Sequence, residues 1–462
     1  MKLKFILPAL LGAFLISCGN RPASRGIVYQ MIEGYTVNDT VTFGVTITEK
    51  ITTQERFDQL FVAGPVRISH PEPIDFSRQF VVTVITPASN RRTTVYADSV
   101  VRRNNYLEVV YSIVRSETLT YSTRPALVLV FDKRFDAEFT YTRTIDFIEN
   151  GGVLTRIEGY PAQDYSDITW LGGNRYAVVT DKKDGFFIFH FDILEDASVA
   201  NVERDIFFGD STTTRDCEGI AYHPVRETVF ISGEEDQNIL EYHMDGTKTG
   251  DSLAIPDMFR QATNNYGFEA LTYSASRNRF WTTTESTLPI DGEQASSTNR
   301  IRNLLRLQSF DATTLQPLRQ FAYRMERPEG AADTRLSAIG VPALTALPDG
   351  RLLVLEREFF ANPQVSGIWV KNKLFLVDPR GGMDVSAIPD LRILEERYFL
   401  RKTLLWEHKS DLRPGTTNPL ANFEGMCLGP VGEDGESTLI LINDAQGGLL
   451  PQMGEYLMVL KF

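Results

Sequence analysis

The sequence predicts an all-β protein, in which a small β-sandwich-like domain (residues 27–146) precedes a β-propeller of about six blades (residues 147–462). In the first region, short runs rich in Val, Thr, Tyr and Phe are broken by Pro, Asn and Ser, which is typical of strands joined by turns. In the second region a strand–turn–strand unit recurs about every 50 residues. That period and unit size are typical of propeller blades.

The first region shows one short helical pattern, "TTQERFDQLF" from Thr52, with an acidic start and helical apolar spacing. Its remaining segments, such as "QFVVTVITPAS" and "PALVLVFDKRF", have the composition of strands. Within this region, residues 70–145 loosely resemble the C-terminal domain of the protease-stability lipoproteins of the PrcB type. We therefore expect a non-catalytic β-domain that could contact a protein partner.

Five repeat units are visible in the second region, beginning at Ser166, Cys217, Phe268, Pro342 and Phe423. Each has an apolar–small–apolar strand, a turn, a second apolar strand and a closing acid. The closing acids are Asp181, Glu234, Glu285, Glu356 and Asp444. Additional strand segments raise the estimate to six blades, with "GEYLMVLKF" at the C-terminal end closing the last one. A solenoid is the alternative, but the variable insertions and the lack of capping units argue against it.

The chain begins like a bacterial lipoprotein. Lys2 and Lys4 precede an apolar run that is too short to be a permanent membrane span, and "LISC" then resembles a lipobox. We expect residues 1–18 to be the signal peptide and lipobox, with Cys18 as the lipidated residue, and residues 19–26 to be a tether. An ordinary signal peptide is the alternative. Gly19 favours the outer membrane, so the predicted location is the cell envelope, with attachment to the membrane through Cys18.

The formal net charge is −13, and the excess acid lies almost entirely after residue 150. This balance argues against a nucleic-acid partner and leaves room for a divalent cation, although a solvated acidic surface explains it equally simply. Cys217 and Cys427 are the cysteines that remain after Cys18. Two cysteines form neither a disulfide framework nor a metal knuckle, and we expect two buried thiols, at equivalent positions of two repeats.

Acidic residues recur at the start of the first strand of several units. Asp167, Glu218 and Glu269 lie 51 residues apart, and Glu424 opens the last unit. In a propeller the innermost strands line the central channel, so these carboxylates should converge at one mouth. Converging carboxylates repel one another unless a cation is present, and Ca²⁺ prefers such oxygen ligands. The alternative is that each acid binds the loop amides of the neighbouring blade.

The segments "NNYGFEALTY", "ALTALPDGRLLVLERE" and "NFEGMCLGP" resemble the phytase-like family described as "esterase-like activity of phytase" over about residues 150–462. The resemblance implies a propeller-like fold and a phosphoester or phosphodiester hydrolase activity. It also implies the site residues. They are Glu218, Glu269, Glu356, Arg357 and Glu424 for catalysis, and Glu218, Glu269, Glu424 and Asp444 for the metal. The repeat position adds Asp167 to the expected metal ligands. The fourth unit has Ala343 where an opening acid is expected.

The chain contains no GxSxG, HExxH, P-loop or dinucleotide motif, and its five histidines are scattered. A serine esterase is therefore unsupported. Hydrolysis would use a metal-activated water, with Ca²⁺ neutralising phosphate charge, a glutamate taking the proton and Arg357 orienting a phosphate oxygen. The alternative function is a non-catalytic propeller that binds a protein or glycan, in which the acids are structural.

Overall fold

The computed structural model describes residues 27–40, 45–64, 73–103, 106–146, 148, 152–263, 265–331, 337–362, 367–412, 418–448 and 452–462. The predicted signal peptide, Cys18 and the tether lie outside these described residues. Among the described helices, none has the length and apolar character needed to cross a membrane. The described residues form an almost entirely β structure in two regions.

The N-terminal region contains two sheets that share one core. Its elements are β1 (Tyr29–Met31), β2 (Tyr35–Val37), β3 (Ile47–Ile51), α1 (Gln54–Leu60), β4 (Phe61–Ala63), β5 (Gln79–Ile85), β6 (Ser89–Arg102), β7 (Tyr106–Thr123), β8 (Ala126–Asp132) and β9 (Glu138–Arg143). The first sheet has the order β1-β8-β5-β3, and the second has the order β6-β7-β9, with β7 and β9 parallel. A third, two-stranded sheet pairs β2 with β4.

Alternation along β5 explains the layers of this region. Phe80 and Val82 pack into the core shared with β6 and β7, whereas Val81 and Ile85 point to the opposite face of the same sheet. That opposite face is covered by α1 through the buried Phe57 and by strands β2 and β4. The single helical pattern read in this part of the sequence is therefore α1, and it adds a layer that a simple sandwich would lack.

The second region contains five four-stranded sheets. Their strands are β10 (Thr155–Arg156), β11 (Tyr165–Gly172), β12 (Arg175–Thr180), β13 (Asp184–Ile193), β14 (Val199–Asp210), β15 (Cys217–His223), β16 (Thr228–Gly233), β17 (Asn238–His243), β18 (Lys248–Ser252), β19 (Phe268–Ser274), β20 (Arg279–Thr284), β21 (Leu304–Asp311), β22 (Pro317–Arg324), β23 (Ser337–Ala346), β24 (Leu352–Asn362), β25 (Gly367–Val377), β26 (Lys402–Leu412), β27 (Phe423–Leu428), β28 (Thr438–Asn443) and β29 (Tyr456–Lys461). Each of the first four sheets uses four consecutive strands, from β11 to β26. The fifth has the order β10-β29-β28-β27.

These sheets form a ring. The inner strands contact one another in the cyclic order β11, β15, β19, β23, β27 and back to β11. Five apolar cores fill the five spaces between adjacent sheets. We refer to the sheets as blades 1 to 5. The described residues thus contain one blade fewer than expected, because the additional strand segments belong to blades 3 and 4 as β21, β22 and β25.

Blade 5 combines strands from both ends of the region. Thr155 of β10 pairs with Leu457 of β29, and Arg156 pairs with Tyr456. The predicted closing segment "GEYLMVLKF" is β29, but an upstream strand completes its sheet. The two thiols are free and buried, as expected, although they occupy different positions. Cys217 begins the inner strand of blade 2, whereas Cys427 lies near the end of the inner strand of blade 5.

The N-terminal region contacts one end of the ring. Ser89 Oγ donates to the carbonyl of Asp434, which precedes β28, at 2.5 Å. Arg380, which follows β25, donates to Thr142 Oγ1 at 2.9 Å. Strand β28 runs away from this end, so its last residue, Asn443, lies at the opposite end. The described residues of the N-terminal region therefore contact the end of the ring opposite to the one at which the inner strands begin.

Candidate functional site

A β-bulge recurs at the start of the inner strands and sets the direction of the side chain at the opening position, which is Glu218 in blade 2. In blade 2, Cys217 pairs with Gly233 and Ile220 with Ile231, so Glu218 and Gly219 lie opposite a single residue. Blades 1, 3 and 5 show the same register shift at the same point. A bulge changes the direction of a side chain locally. The equivalent residues at the opening position are Glu218, Glu269 and Glu424, with Ser166 in blade 1 and Val341 in blade 4.

The closing acids stand beside these opening residues. Asp181, Glu234, Glu285 and Asp444 each follow the last residue of the second strand of their blade. The backbone N–H of each donates to the residue just before the inner strand, as in Glu234 N to Asp216 O at 2.8 Å and Asp444 N to Asn422 O at 3.0 Å. Blades 1, 2, 3 and 5 therefore bring two chain segments bearing polar groups to the same end of the ring.

The carboxylates that gather there are buried and repel one another. Burial raises the pKa of Glu269 well above its usual range, and the neighbouring Glu218, Glu285, Glu234 and Glu424 raise it further. Burial likewise raises the pKa of Glu218 well above its usual range, with Glu424 as the next cause. The pKa of Glu234 is raised to about 8, first by burial. We call this group of acids the acid cluster.

Asp444 and Asp181 extend the acid cluster. Burial raises the pKa of Asp444 well above its usual range, and Glu424 is the next cause. Burial raises the pKa of Asp181 to about 7. Lys182, next in the chain, pairs with Asp164 at 2.9 Å and lies 3.4 Å from Asp181, so it partly compensates the blade 1 edge.

Arg357 compensates another edge of the acid cluster. Arg357 of blade 4 is equivalent to Gly233 of blade 2. In blade 4 it pairs with Gly340, just as Gly233 pairs with Cys217 in blade 2. Its Nη2 donates to Glu285 at 2.6 Å, and its Nη1 donates to Glu424 and, at 3.2 Å, to Asn422. Both Nη groups are thus held by protein acceptors, and the structure gives Arg357 the role of a buried counter-charge.

At the blade 2 edge, no described arginine or lysine forms an ion pair with the acids, and Lys182 acts on Asp216 only through its charge. Asp216, Glu218 and Glu234 each offer one carboxylate oxygen, and these oxygens lie within 4.8 Å of one another. Oxygens bound to a single Ca²⁺ at about 2.3–2.6 Å can be at most roughly 5 Å apart, so the spacing fits one cation. All three donors are carboxylates, which suit a hard cation such as Ca²⁺, Mg²⁺ or Mn²⁺. This trio is the candidate metal centre.

The structure brings together Glu218, Glu269, Glu424, Asp444 and Arg357, but it places the other two predicted site residues elsewhere. Glu356 accepts hydrogen bonds from Tyr323 Oη and Lys402 Nζ, both at 2.6 Å, on the other side of β24 from Arg357. Since the two residues are adjacent in a strand, their side chains point in opposite directions. The blade 4 residue at the closing position is Glu358, which accepts from the amides of Glu329 and Gly330 at 2.9 and 2.8 Å.

Asp167 joins three blades. Its two carboxylate oxygens accept from Ile220 N of blade 2 at 2.9 Å and from Met426 N of blade 5 at 3.1 Å. By register it is equivalent to Gly219, and Ser166 is the true counterpart of Glu218. The amide-binding alternative considered for the acids therefore describes Asp167 and Glu358, and it applies in part to Glu234, whose Oε1 accepts from Gly267 N at the start of blade 3.

Asp216 was not identified from the sequence, and Glu234 was noted only as a closing acid. A signal for Asp216 exists. It lies two residues before Glu218, as Asp164 lies two residues before Ser166 and Asn422 two before Glu424. Asp164 and Asp216 also share a positive φ, of 53° and 54°. Asp tolerates this conformation better than most residues, which makes it a natural choice where the chain turns into the bulge.

The fold and site define a ring of β-sheets with an acid-lined axis. Among solved structures, the chain is similar to a streptogramin B lyase, with 10% identity, 68% of this chain and 98% of that chain covered, and a TM-score of 0.30. It is also similar to a DUF4221 family member from Bacteroides vulgatus, with 10% identity, 68% of this chain and 99% of that chain covered, and a TM-score of 0.29. A third similar structure is the Cps50 (Swd1) β-propeller domain from Myceliophteria thermophila, with 10% identity, 67% of this chain and 100% of that chain covered, and a TM-score of 0.28. At these TM-scores the ring is established from the strand contacts of this chain alone.

Comparison with curated proteins gives no match. The model of the phytase-like family, described as "Esterase-like activity of phytase", matches residues 161–445. This span begins just before blade 1, ends just after Asp444 and contains the whole acid cluster. The chain belongs to this phytase-like family.

Proposed function

We propose that this protein is a cell-envelope lipoprotein whose propeller is a metal-dependent phosphoester or phosphodiester hydrolase. The observation that carries the proposal is the trio Asp216, Glu218 and Glu234, which forms no ion pair with a described residue, beside the acids Glu285 and Glu424 that Arg357 pairs with. Membership of the phytase-like family supports the reaction class. The acidic chemistry supports a cation, and Ca²⁺ is the one we propose.

In this proposal the trio holds the cation, which when bound would neutralise phosphate charge and lower the pKa of a water molecule. Glu269 is the proposed general base, because it lies within the acid cluster and burial already raises its affinity for a proton. Arg357 holds Glu285 and Glu424 in place. Because Arg357 is already bonded to these acids, we assign the orientation of the phosphate to the cation and not to Arg357, for which the sequence predicted that role.

The test is calorimetric titration of the metal-stripped protein with Ca²⁺, alongside hydrolysis of bis(p-nitrophenyl) phosphate and p-nitrophenyl phosphate. Glu218→Gln and Glu234→Gln should each weaken Ca²⁺ binding at least tenfold, because each removes one charged ligand while keeping the side-chain shape. Glu269→Gln should reduce turnover by a larger factor than it reduces the affinity for Ca²⁺. Glu227→Gln is the matched control, since Glu227 is exposed in the turn between β15 and β16, at the other end of blade 2, and the charge change is the same.

The assays separate the proposal from its alternatives. Heat of binding without turnover would leave a structural calcium site, and no heat and no turnover would leave a propeller that binds a protein or glycan. The envelope location has its own test. Cys18→Ala should move the protein from the membrane fraction to the soluble fraction, and an unchanged distribution would contradict lipid attachment.

A further inference from the structure

A crevice of about 600 Å³ lies between the N-terminal region and the propeller. The N-terminal region contributes strands β6, β7 and β9, and the propeller contributes the end of β29 and the turn after β13. The walls combine basic and apolar groups, with Arg115 and Arg143 close to Ile113, Ile148 and Phe462. None of these residues belongs to the acid cluster.

The crevice and the acid cluster are at opposite ends of blade 5. Glu436, which lines the crevice, lies just before β28, whereas Asp444 of the acid cluster lies just after it. A strand rises about 3.3 Å per residue, so the length of β28 separates the two sites by roughly 20 Å. A ligand in the crevice would therefore be bound independently of the acid cluster.

Arg115 and Arg143 place positive charge in the crevice, and neither forms an ion pair with a described residue. The Nε atoms of both residues are buried and have no hydrogen-bond acceptor in the described part of the chain. Arg115 donates through Nη2 to the carbonyl of Gly435, and the Arg143 guanidinium lies 5.8 Å from the centre of the Phe462 ring. Burial lowers the pKa of Arg143 to about 10, and the positive charge of Arg115 is the next cause.

Acidic residues also line the crevice, but none pairs with either arginine within the described ranges. Asp196 accepts from Ser198 N at 3.0 Å and Ser198 Oγ at 2.5 Å. The nearby Lys461 pairs with Asp434 at 3.0 Å. Glu436 acts on Arg115 only through its charge, without an ion-pair contact. Two neighbouring guanidinium groups therefore share a partly desolvated space in which no described carboxylate pairs with either of them.

We propose that this crevice binds a small amphipathic organic anion, whose carboxylate or phosphate group lies between Arg115 and Arg143. Guanidinium groups bind both oxyanions through paired charge-assisted hydrogen bonds. The apolar part of the ligand packs against Phe462, Ile148 and Ile113. Since a crevice of this volume is within the usual range for small-molecule sites, a ligand of about ten heavy atoms fits it.

The experiment is calorimetric titration of the full chain with three probes of equal chain length, namely octanoate, octyl phosphate and octanamide. At least one anion should bind saturably, and neutral octanamide should bind at least tenfold more weakly. The head group that binds better identifies the ligand as a carboxylate or a phosphate. Arg143→Gln and Arg115→Gln should each weaken anion binding at least tenfold, because each removes a charge-assisted contact. Arg92→Gln is the matched control. Arg92 is exposed and lies on β6 next to Arg91, which lines the crevice.

Thermal unfolding without a probe guards against misfolded variants. Arg143→Gln should keep or raise the ligand-free melting temperature, because it relieves repulsion with Arg115; an arginine with a purely structural role would lower it. Arg143→Lys keeps the charge but loses the planar fork, and it should bind anions with intermediate affinity. The proposal is overturned if neither anion binds, if octanamide binds as well as the anions, or if both Gln variants bind as the wild type does.

Discussion

Arg357 offers the sharpest test of how the acid cluster is stabilised. The change is Arg357→Met, which keeps much of the side-chain length and removes the positive charge. In the folded protein Arg357 is 6% exposed, and its partners Glu285 and Glu424 are 4% and 10% exposed. The variant would therefore leave two buried carboxylates without their counter-charge, among other acids that already repel them.

The magnitude follows from these contacts. Removing one partner of a buried ion pair destabilises a protein by about 3–5 kcal/mol, because the remaining charge is left in a poorly solvated position. Glu285 can relieve part of this by taking up a proton, since burial raises its pKa. We therefore expect a loss of about 3 kcal/mol at pH 8. In a propeller of about 300 residues, whose unfolding entropy is about 2.1 cal/mol/K per residue, that corresponds to roughly 5 °C in melting temperature.

The assay is differential scanning calorimetry of the metal-stripped protein at pH 8, repeated in 5 mM CaCl₂. Calcium should restore part of the loss, because Glu285 and Glu424 become free to bind a cation near the existing trio. Arg279→Met is the matched control. Arg279 is exposed at the start of β20, and its replacement should change stability by less than about 0.5 kcal/mol.

Two results would refute this reasoning. A loss below about 1 kcal/mol for metal-stripped Arg357→Met would show that the carboxylates do not need the arginine. A full loss that calcium leaves unchanged would show that the acids around Arg357 and the trio do not act on one cation.

Three further predictions concern the same end of the ring. Asp167→Asn should lower the free energy of unfolding by about 1–3 kcal/mol, because the single amide oxygen cannot accept from both Ile220 N and Met426 N. The heat of calcium binding should stay unchanged, and a changed calcium affinity would contradict this prediction. Gly219→Ala should weaken calcium binding, because an added Cβ would lie 2.4 Å from the Glu269 carbonyl and shift the bulge; wild-type titration curves would contradict it. The metal-stripped protein should lose stability as pH rises from about 5 to 8. Folding raises the pKa of Glu234 from 4.5 to about 8, so in this pH range the folded state binds more protons than the unfolded chain. Urea unfolding across this range checks the slope, and saturating calcium should reduce it.

Much of the ring could be predicted from the sequence, because each blade repeats the same local demands. The inner strand needs an apolar–small–apolar pattern, and Gly219 and Gly425 are small because the neighbouring inner strand lies against them. The number of blades could not be read in the same way. Segments such as β25 have the composition of a strand, but their assignment to an existing sheet depends on pairing between distant residues.

The acid cluster was predictable in part for the same reason. Glu218, Glu269 and Glu424 share one bulge position, so spacing alone brings them together. Spacing failed by one residue in blade 1, where Asp167 takes the position of Gly219, and in blade 4, where Glu356 lies two residues before the true closing position at Glu358. The one-residue shift in blade 1 reverses the face of the side chain, whereas the two-residue shift in blade 4 keeps the face and moves the acid along the strand. Only the strand pairing reveals either shift.

The pairing of β10 with β29 has a consequence for work on fragments of this protein. The span matched by the family model, residues 161–445, omits both strands. A fragment cut at those limits would keep only β27 and β28 of blade 5, expose the edge of β28 and uncover apolar residues such as Ile440 that pack beneath β29. Exposed strand edges recruit other chains, so this fragment should aggregate or exchange strands between copies. A stable propeller fragment should begin before Thr155 and continue to Lys461.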